Sequence, residues 1–355
     1  MFQRYGCVLF ACITLLCGQL RCVDQGNVEN TKEISEENAN DCVSDYEKLS
    51  PIIGWNRFLG DCARSIKGWC RWWSYLRMKT PEIIDWIEGL KLKIYPGNEI
   101  YRAIFVRGIY DPNLIVVVNS FLTDGSVFID AGTGIGHFSL LASRVIGKNG
   151  RIYAVEPSSR DFERLCDNIE LNKLPDVVHP RQFAFLDKNG TEQLSIACEE
   201  RNLINTIGTE FSSKGVDKIK TEKVNVVRID DFVENERINK VDFIKLDVEG
   251  SETRALRGAR NTIEKYRPSL MVGVNETALK SCGSCLKELQ QMLRDFKYRT
   301  YRLRDDSFFT LEPVSDITKE HVNVVFCLPE DIMPPVLPRP KQLSSVDVIR
   351  DFLSK

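Results

Sequence analysis

The chain has 355 residues, is 43% hydrophobic, and carries 48 basic against 50 acidic side chains for a formal net charge of -2. A single domain commonly takes about 100–200 residues, so one α/β domain with appendages is expected. The balanced charge provides no global field for a polyanion, and nucleic acid is excluded as an expected partner.

In chain order, Arg4 precedes an uncharged, mostly apolar run from Tyr5 to Leu20. The run is shorter than the ~20 residues that span a bilayer comfortably, so residues 1–22 read as a signal peptide or signal-anchor. The expected location is the secretory pathway lumen or the outside of the cell, with a membrane partner only if the segment stays uncleaved. Four of the twelve cysteines, Cys7, Cys12, Cys17 and Cys22, fall in this segment, and the remaining eight allow disulfides such as Cys62–Cys70 or Cys282–Cys285. No second CxxC or His pair accompanies Cys282 and Cys285, so no metal site is expected. Two glycosylation triplets begin at Asn189 and Asn275, and Asn189, beside a glycine in an expected turn, is the better acceptor.

Residues 23–41 are acidic and polar without apolar periodicity, which predicts a disordered linker. Residues 42–125 are read as a helical N-terminal cap, whose aromatic-basic run Trp69-Cys-Arg-Trp-Trp73 is expected to pack onto the core. From Ser126 to residue 328, short apolar runs alternate with helix-period segments. Ser126–Asp130, Arg151–Glu156, Val178–Phe185, Lys223–Ile229, Val241–Asp247 and Ser269–Val274 are expected strands, and Tyr298–Arg304 with Val322–Leu328 form a final pair. Such alternation implies a parallel sheet covered on both faces. The stretch from Glu192 to Thr221 is long for a connection and predicts an extra hairpin or a lid. Prolines at 334, 335, 338 and 340 mark residues 329–355 as an irregular tail.

Chemistry concentrates in two places. The sequence DAGTGIG, Asp130 to Gly136, lies between a strand and a helix, where glycines permit a sharp turn and close approach of a ligand to the helix N-terminus. Glu156 ends the next strand, where a carboxylate can accept both ribose hydroxyls of an adenosine. A dinucleotide fingerprint would need glycine at His137 or Ser139, so a nicotinamide oxidoreductase ranks last. Asp130 would repel a pyrophosphate and suits a ligand with a cationic amino-acid end, the properties of S-adenosylmethionine. The second place is DFIKLDVEGSETRALRGA, Asp242 to Ala259. Asp247 and Glu249 should face the same crevice, since ligands of open α/β sheets bind beyond the carboxyl ends of strands. For Glu252 a role at the helix N-terminus is favoured.

These segments, IKLDVEGSETRALRGA, VFIDAGTGIGHFSLLAS and AVEPSSRDFERLCDNIELN, resemble the FkbM family of methyltransferases over about 200 residues, from near Ser126 to Cys327. The resemblance implies a class I methyltransferase fold: an α/β, Rossmann-like, doubly wound sheet of seven strands. It implies S-adenosylmethionine as cofactor and transfer to a hydroxyl of a glycan or small molecule. Asp130, Gly132, Gly134 and Gly136 match the family's cofactor loop, Glu156 its ribose-binding acid, and Asp247, Glu249 and Gly250 its second signature. Asp187 matches a segment near the adenine edge. Thr133 or its neighbour stands where the family commonly has asparagine, and the strand ending Val272-Gly-Val-Asn-Glu276 lacks a histidine often present there. Asp247, Glu249, Glu276, His137 and His179 are the candidate bases, with a carboxylate preferred, Asp247 or Glu249. A binding protein of the secretory pathway that keeps the fold without catalysis is the alternative.

Overall fold

The computed structural model describes residues 68–97, 99–197, 205–207, 219–304, 310–318 and 323–335. The expected signal segment, the linker, residues 42–67 of the cap and the tail from 336 onward lie outside the described residues.

The expected alternation of strands and helices is realised over much of residues 127–273, interrupted by a run of consecutive strands. A helix α1 runs through residues 68–77. It is followed by β1 (Glu82–Asp85), β2 (Lys91–Ile94), α2 (Glu99–Arg107), α3 (Pro112–Ser120), β3 (Val127–Ala131), α4 (His137–Ile146), β4 (Arg151–Val155), α5 (Ser159–Leu171) and β5 (Val178–Arg181). Next come β6 (Ala184–Phe185), β7 (Gly190–Ala197), β8 (Asn205–Thr206), β9 (Ile219–Val227), α6 (Ile229–Asn235), β10 (Phe243–Leu246), α7 (Glu252–Arg257) and α8 (Arg260–Tyr266). The last elements are β11 (Ser269–Gly273), α9 (Glu276–Ser281), α10 (Leu286–Asp295), β12 (Tyr298–Leu303), β13 (Leu311–Pro313) and β14 (Val324–Pro329).

The main sheet has the order β13-β12-β14-β11-β10-β3-β4-β5. Its centre and one flank, β11, β10, β3, β4 and β5, are parallel, while β14, β12 and β13 close the other flank antiparallel. Seven of these strands form the expected class I sheet, and β13 adds an eighth at the edge. The expected strand 223–229 departs from this plan: β9 belongs to a separate four-stranded sheet, β6-β9-β7-β8. Its antiparallel partner is β7, paired from Gly190 opposite Val226 to Ala197 opposite Ile219, which realises the hairpin expected between Glu192 and Thr221. Apolar content alone does not tell which sheet a strand joins.

Successive residues of each central strand serve opposite faces. Phe128, Ile152, Phe243 and Met271 pack with α3, α4 and α5, whereas Ile129, Tyr153, Ile244 and Val272 pack with residues of α6 to α10. The N-terminal region is not the all-helical cap that its composition predicts. It contains the β1/β2 hairpin, and Leu92, Ile94, Tyr101, Ile104 and Ile115 through Val118 belong to the core of the sheet's first face. In Lys91-Leu-Lys-Ile94 the alternation of charged and buried positions is strand-like, but four residues are too few to stand out from a helical background.

Asn168 on α5 and Asn172 at its C-cap hold this hairpin. Asn172 accepts a hydrogen bond from Lys91 N and donates to Lys91 O, both at 2.7 Å. Asn168, fully buried, accepts from Lys93 N at 2.9 Å and donates to the Ile135 carbonyl at 3.1 Å, joining the hairpin to the glycine loop. Asn168→Ala leaves a buried amide and a buried carbonyl without partners and is expected to cost about 2–4 kcal/mol. Urea unfolding reads this directly, and a loss below about 0.5 kcal/mol would show that apolar packing alone docks the hairpin.

Candidate active site

The carboxyl ends of β3, β4 and β10 open into one cavity lined by Gly132, Thr133, Gly134, His137, Glu156, Asp161, Lys245, Asp247 and Glu249, together with Tyr110 and Asp111 from the turn before α3. Apolar walls come from Ile100, Leu114, Val155, Phe183, Phe185 and Leu194. Of the residues that the sequence singles out, Gly132, Gly134, Glu156, Asp247 and Glu249 are brought together here. Asp130, Gly136 and Asp187 are not among the described lining residues.

Asp130 lies beneath the loop instead of beside a ligand. It is fully buried, and its Oδ2 accepts hydrogen bonds from Thr133 Oγ1 and Ser139 Oγ, both at 2.7 Å. Its Oδ1 is 3.2 Å from Lys245 Nζ. The charge assigned from sequence to a ligand's cationic end is thus matched by a lysine of the chain itself. No motif marks Lys245, although a lysine inside the buried strand FIKL is a signal. Its Nζ also donates to the Gly132 carbonyl at 3.2 Å and lies 3.8 Å from Asp247 Oδ2. Burial opposes its charge, but Asp130 and then Asp247 more than compensate, and its pKa is raised.

The glycines of the loop divide their work. Gly132 has φ +72, and a Cβ there would stand 2.0 Å from the Asp247 carbonyl oxygen, so the β3 and β10 loops touch through it. A Cβ on Gly134 would face open space, whereas one on Gly136 would strike Leu165 Cδ1 at 2.5 Å. Gly136 therefore serves the packing of α4 on α5, as its absence from the cavity wall requires. Asp187 leaves the site because Arg254 lies 3.2 Å and Arg257 3.7 Å from its carboxylate.

Glu156 presents one face to the cavity while Gly134 N and Ser158 N each donate to it at 3.0 Å. Burial, and then the charge of Asp161, push its pKa up to about 8. Glu249 sits at φ 49, a left-handed conformation that costs a non-glycine residue about 1–3 kcal/mol and persists only where surrounding structure holds it. Here Thr206 Oγ1 donates to its carbonyl at 2.9 Å, and the buried Glu252 accepts from Val248 N and Gly250 N, both at 3.2 Å. Glu252 thus organises the turn, as its expected place at the helix start implied, whereas Ser251 makes no side-chain cap bond. Burial, then Asp247, raises the Glu249 pKa to about 7.

Two further groups extend the wall. Asp111, at φ 47 and at the N-cap of α3 without a side-chain cap bond, has its pKa raised to about 6 by burial and by Asp247. Its Asp-Pro sequence signals only a helix start, so nothing local marks it for the cavity. Both ring nitrogens of His137 are buried without a hydrogen-bond partner, and burial followed by Lys245 lowers its pKa to about 4, which leaves it neutral. Of the other candidate bases, Glu276 is exposed and paired with Lys280 at 2.7 Å, and the His179 ring on β5 lies tilted against Tyr153 of β4; neither is among the described lining residues. Cys282 and Cys285 are free thiols, in place of the disulfide considered from sequence. Among the described residues no group of His, Cys, Asp and Glu could hold a metal ion.

Two substitutions test this arrangement. Lys245→Met strands the buried Asp130 carboxylate and is expected to cost about 3–5 kcal/mol in thermal or urea unfolding, with part of the loss recovered by Lys245→Met/Asp130→Asn. An equal loss in the double variant would mean that shape, not charge, keeps Lys245. His137→Phe removes two unpartnered buried nitrogens and is expected to leave stability unchanged or raise it by about 1–2 kcal/mol; a clear loss would reveal a polar partner for the imidazole.

The family model for the methyltransferase FkbM domain matches residues 130–303. The chain is 24% identical over 218 residues to the hexuronic acid methyltransferase AglP of Haloferax volcanii, covering 59% of this chain and 83% of that protein. It is 25% identical over 185 residues to the 31-O-demethyl-FK506 methyltransferase FkbM of Streptomyces tacrolimicus, covering 46% of this chain and 68% of that protein. A crystal structure of methyltransferase FkbM from Methylobacillus flagellatus superposes with a TM-score of 0.36 at 18% identity, over 59% of this chain and about half of that one, 47%. The glycine loop and the carboxylates at the ends of β4 and β10 lie within the matched segment, and residues 130–303 match the methyltransferase FkbM domain.

Proposed function

We propose that the protein transfers the methyl group of S-adenosylmethionine to a hydroxyl oxygen of a glycan or small molecule, in the secretory pathway lumen or outside the cell. The observation that carries the reading is Glu249: a carboxylate held in strained backbone, lining the same cavity as the glycine loop and Glu156, and titrating near neutrality. The residues present fit the donor. Gly134 leaves the loop backbone bare, Glu156 offers carboxyl oxygens for ribose hydroxyls, and Val155, Phe183 and Leu194 supply apolar walls for a purine. When bound, the donor supplies a methyl carbon on a cationic sulfur, whose C–S bond breaks as the new O–C bond forms, leaving a neutral thioether.

The chain's own task is alignment and proton removal. Glu249 takes the proton of the attacking hydroxyl, and Asp247, whose charge raises the Glu249 pKa, makes it a better base. Lys245 is the sole cation among the described lining residues, and Asp130 and Asp247 flank it. A wall with Asp111, Asp247 and Glu249 therefore suits an uncharged hydroxyl compound. The relative named for the 31-O position of FK506 supports an oxygen acceptor on a small molecule, and the one named for hexuronic acid supports a sugar-derived acceptor. The apolar run Tyr5–Leu20 supports the secretory location.

Calorimetric titration with S-adenosylmethionine and with NAD tests the donor. Saturable binding of the first alone, lost in Glu156→Ala, is expected, and a folded protein that binds neither would reject the enzyme in favour of a binding protein. The base must be ionised, so kcat/KM should fall about ten-fold per pH unit below the Glu249 pKa of about 7. Glu249→Gln should lower kcat by about 10²–10⁴-fold and abolish this acid limb. Persistence of the limb in that variant would transfer the role to Asp247 or Asp111.

A further inference from the structure

Helix α1 is apolar on two opposite sides. Tyr75 on the helix and Met78 just after it are buried in the core, while Trp69, Trp72, Trp73 and Leu76 point outward with 51%, 38%, 44% and 58% of their surfaces exposed. Their spacing of three, four and seven residues puts these four on one stripe about 100° wide. The Trp69 and Trp73 rings meet edge to face at 5.6 Å, so the stripe is continuous. Packing of these tryptophans onto the core, which the sequence predicts, is realised only by the helix's other side. Soluble surfaces rarely leave several large apolar side chains contiguous in water, and such a patch marks an interaction site.

Along the chain, the charged residues interleaved with the stripe are basic. From Cys62 to Pro81 the sequence contains Arg64, Lys67, Arg71, Arg77 and Lys79 and no carboxylate. The Arg77 guanidinium lies 5.5 Å from the Trp73 ring centroid, and that of Arg102 lies 4.9 Å from Trp72. Tryptophan bordered by arginine and lysine is the composition of helices that lie in a lipid-water interface, where the indole sits at headgroup depth and the cations meet lipid phosphates. A protein partner of equal fit would need an acidic face of its own; an anionic bilayer supplies that charge over any area. The apolar run Tyr5–Leu20 lies upstream of this same helix in the chain.

We infer that α1 is a membrane-docking element, whose Trp69, Trp72, Trp73 and Leu76 enter the headgroup region of an anionic phospholipid surface while the flanking arginines and Lys79 hold the lipid phosphates. The inference is independent of the methyl-transfer reading, because none of these residues is among those lining the cavity.

The test uses the full chain with phosphatidylcholine vesicles, with and without phosphatidylserine, in which the acyl chains carry bromine. Bromine quenches only indoles that reach the acyl boundary, so attachment through the N-terminal apolar run alone leaves α1 bright. With phosphatidylserine, the emission is expected to shift to the blue and fall about two-fold, and salt should weaken the effect. Trp69→Ser/Trp72→Ser/Trp73→Ser, which alters only exposed side chains, should keep its circular dichroism spectrum and lose the quenching. No quenching in the unsubstituted protein, or equal quenching in the triple variant, overturns the inference. So does shielding of the three indoles from acrylamide before vesicles are added: cover by residues 1–67 would then be independent of protein concentration, and cover by a second copy would grow with it.

Discussion

The register between β3 and β10 sets Asp130 directly beside Lys245, and the site is built on that pair. A slip of one residue would turn Lys245 to the opposite face of the sheet and leave Asp130 without its cation. Burying two charges has a large desolvation cost, so the pair is not explained by stability alone. Its value is geometric. Asp130 fixes the hydroxyls of Thr133 and Ser139, and Lys245 fixes the Gly132 carbonyl while reaching toward Asp247. One ion pair thereby joins the glycine loop, the first helix after it and the loop carrying the candidate base.

Neutralising Asp130 from below leaves the other carboxylates to act on one another. Asp247 raises the pKa of both Glu249 and Asp111, in each case adding to the effect of burial. A carboxyl group with a pKa near 7 takes up a proton and gives it back within the ordinary pH range, which an unperturbed glutamate does not do. The backbone supports this tuning: the left-handed Glu249 is followed by Gly250, where a Cβ would lie 2.2 Å from the Ala278 carbonyl oxygen. The turn is therefore clamped between Glu252, Thr206 and the start of the next helical layer.

The described residues from Tyr75 to Leu122 are part of the domain's interior and not an attachment. Leu92, Tyr101, Ile115 and Val117 share a core with Phe128, Leu141 and Phe243, so the sheet's first face would be bare without them. The same region contributes Tyr110 and Asp111 to the cavity, beyond the boundary of the matched segment 130–303. Under the proposed function, a wall from outside the matched segment would let one donor-binding scaffold serve different acceptors. Helix α1 carries this division further, with one side in the core and the other exposed.

The sequence by itself determined the parallel core of the sheet, the glycine loop, and the placement of Glu156, Asp247 and Glu249 around one cavity. Each of these rests on local rules: strand and helix periodicity, the freedom of glycine at positive φ, and the carboxyl ends of neighbouring parallel strands meeting on one side. Tertiary structure decided the rest. Asp130 became a buried support once the β3–β10 register supplied Lys245, a partner 115 positions away in sequence. Asp187 was drawn off by Arg254, Asp111 was brought in by the packing of α3, and β9 joined a second sheet. These outcomes depend on which distant groups become neighbours, and the pairing of a charge, unlike the period of a helix, leaves no trace in the residues beside it.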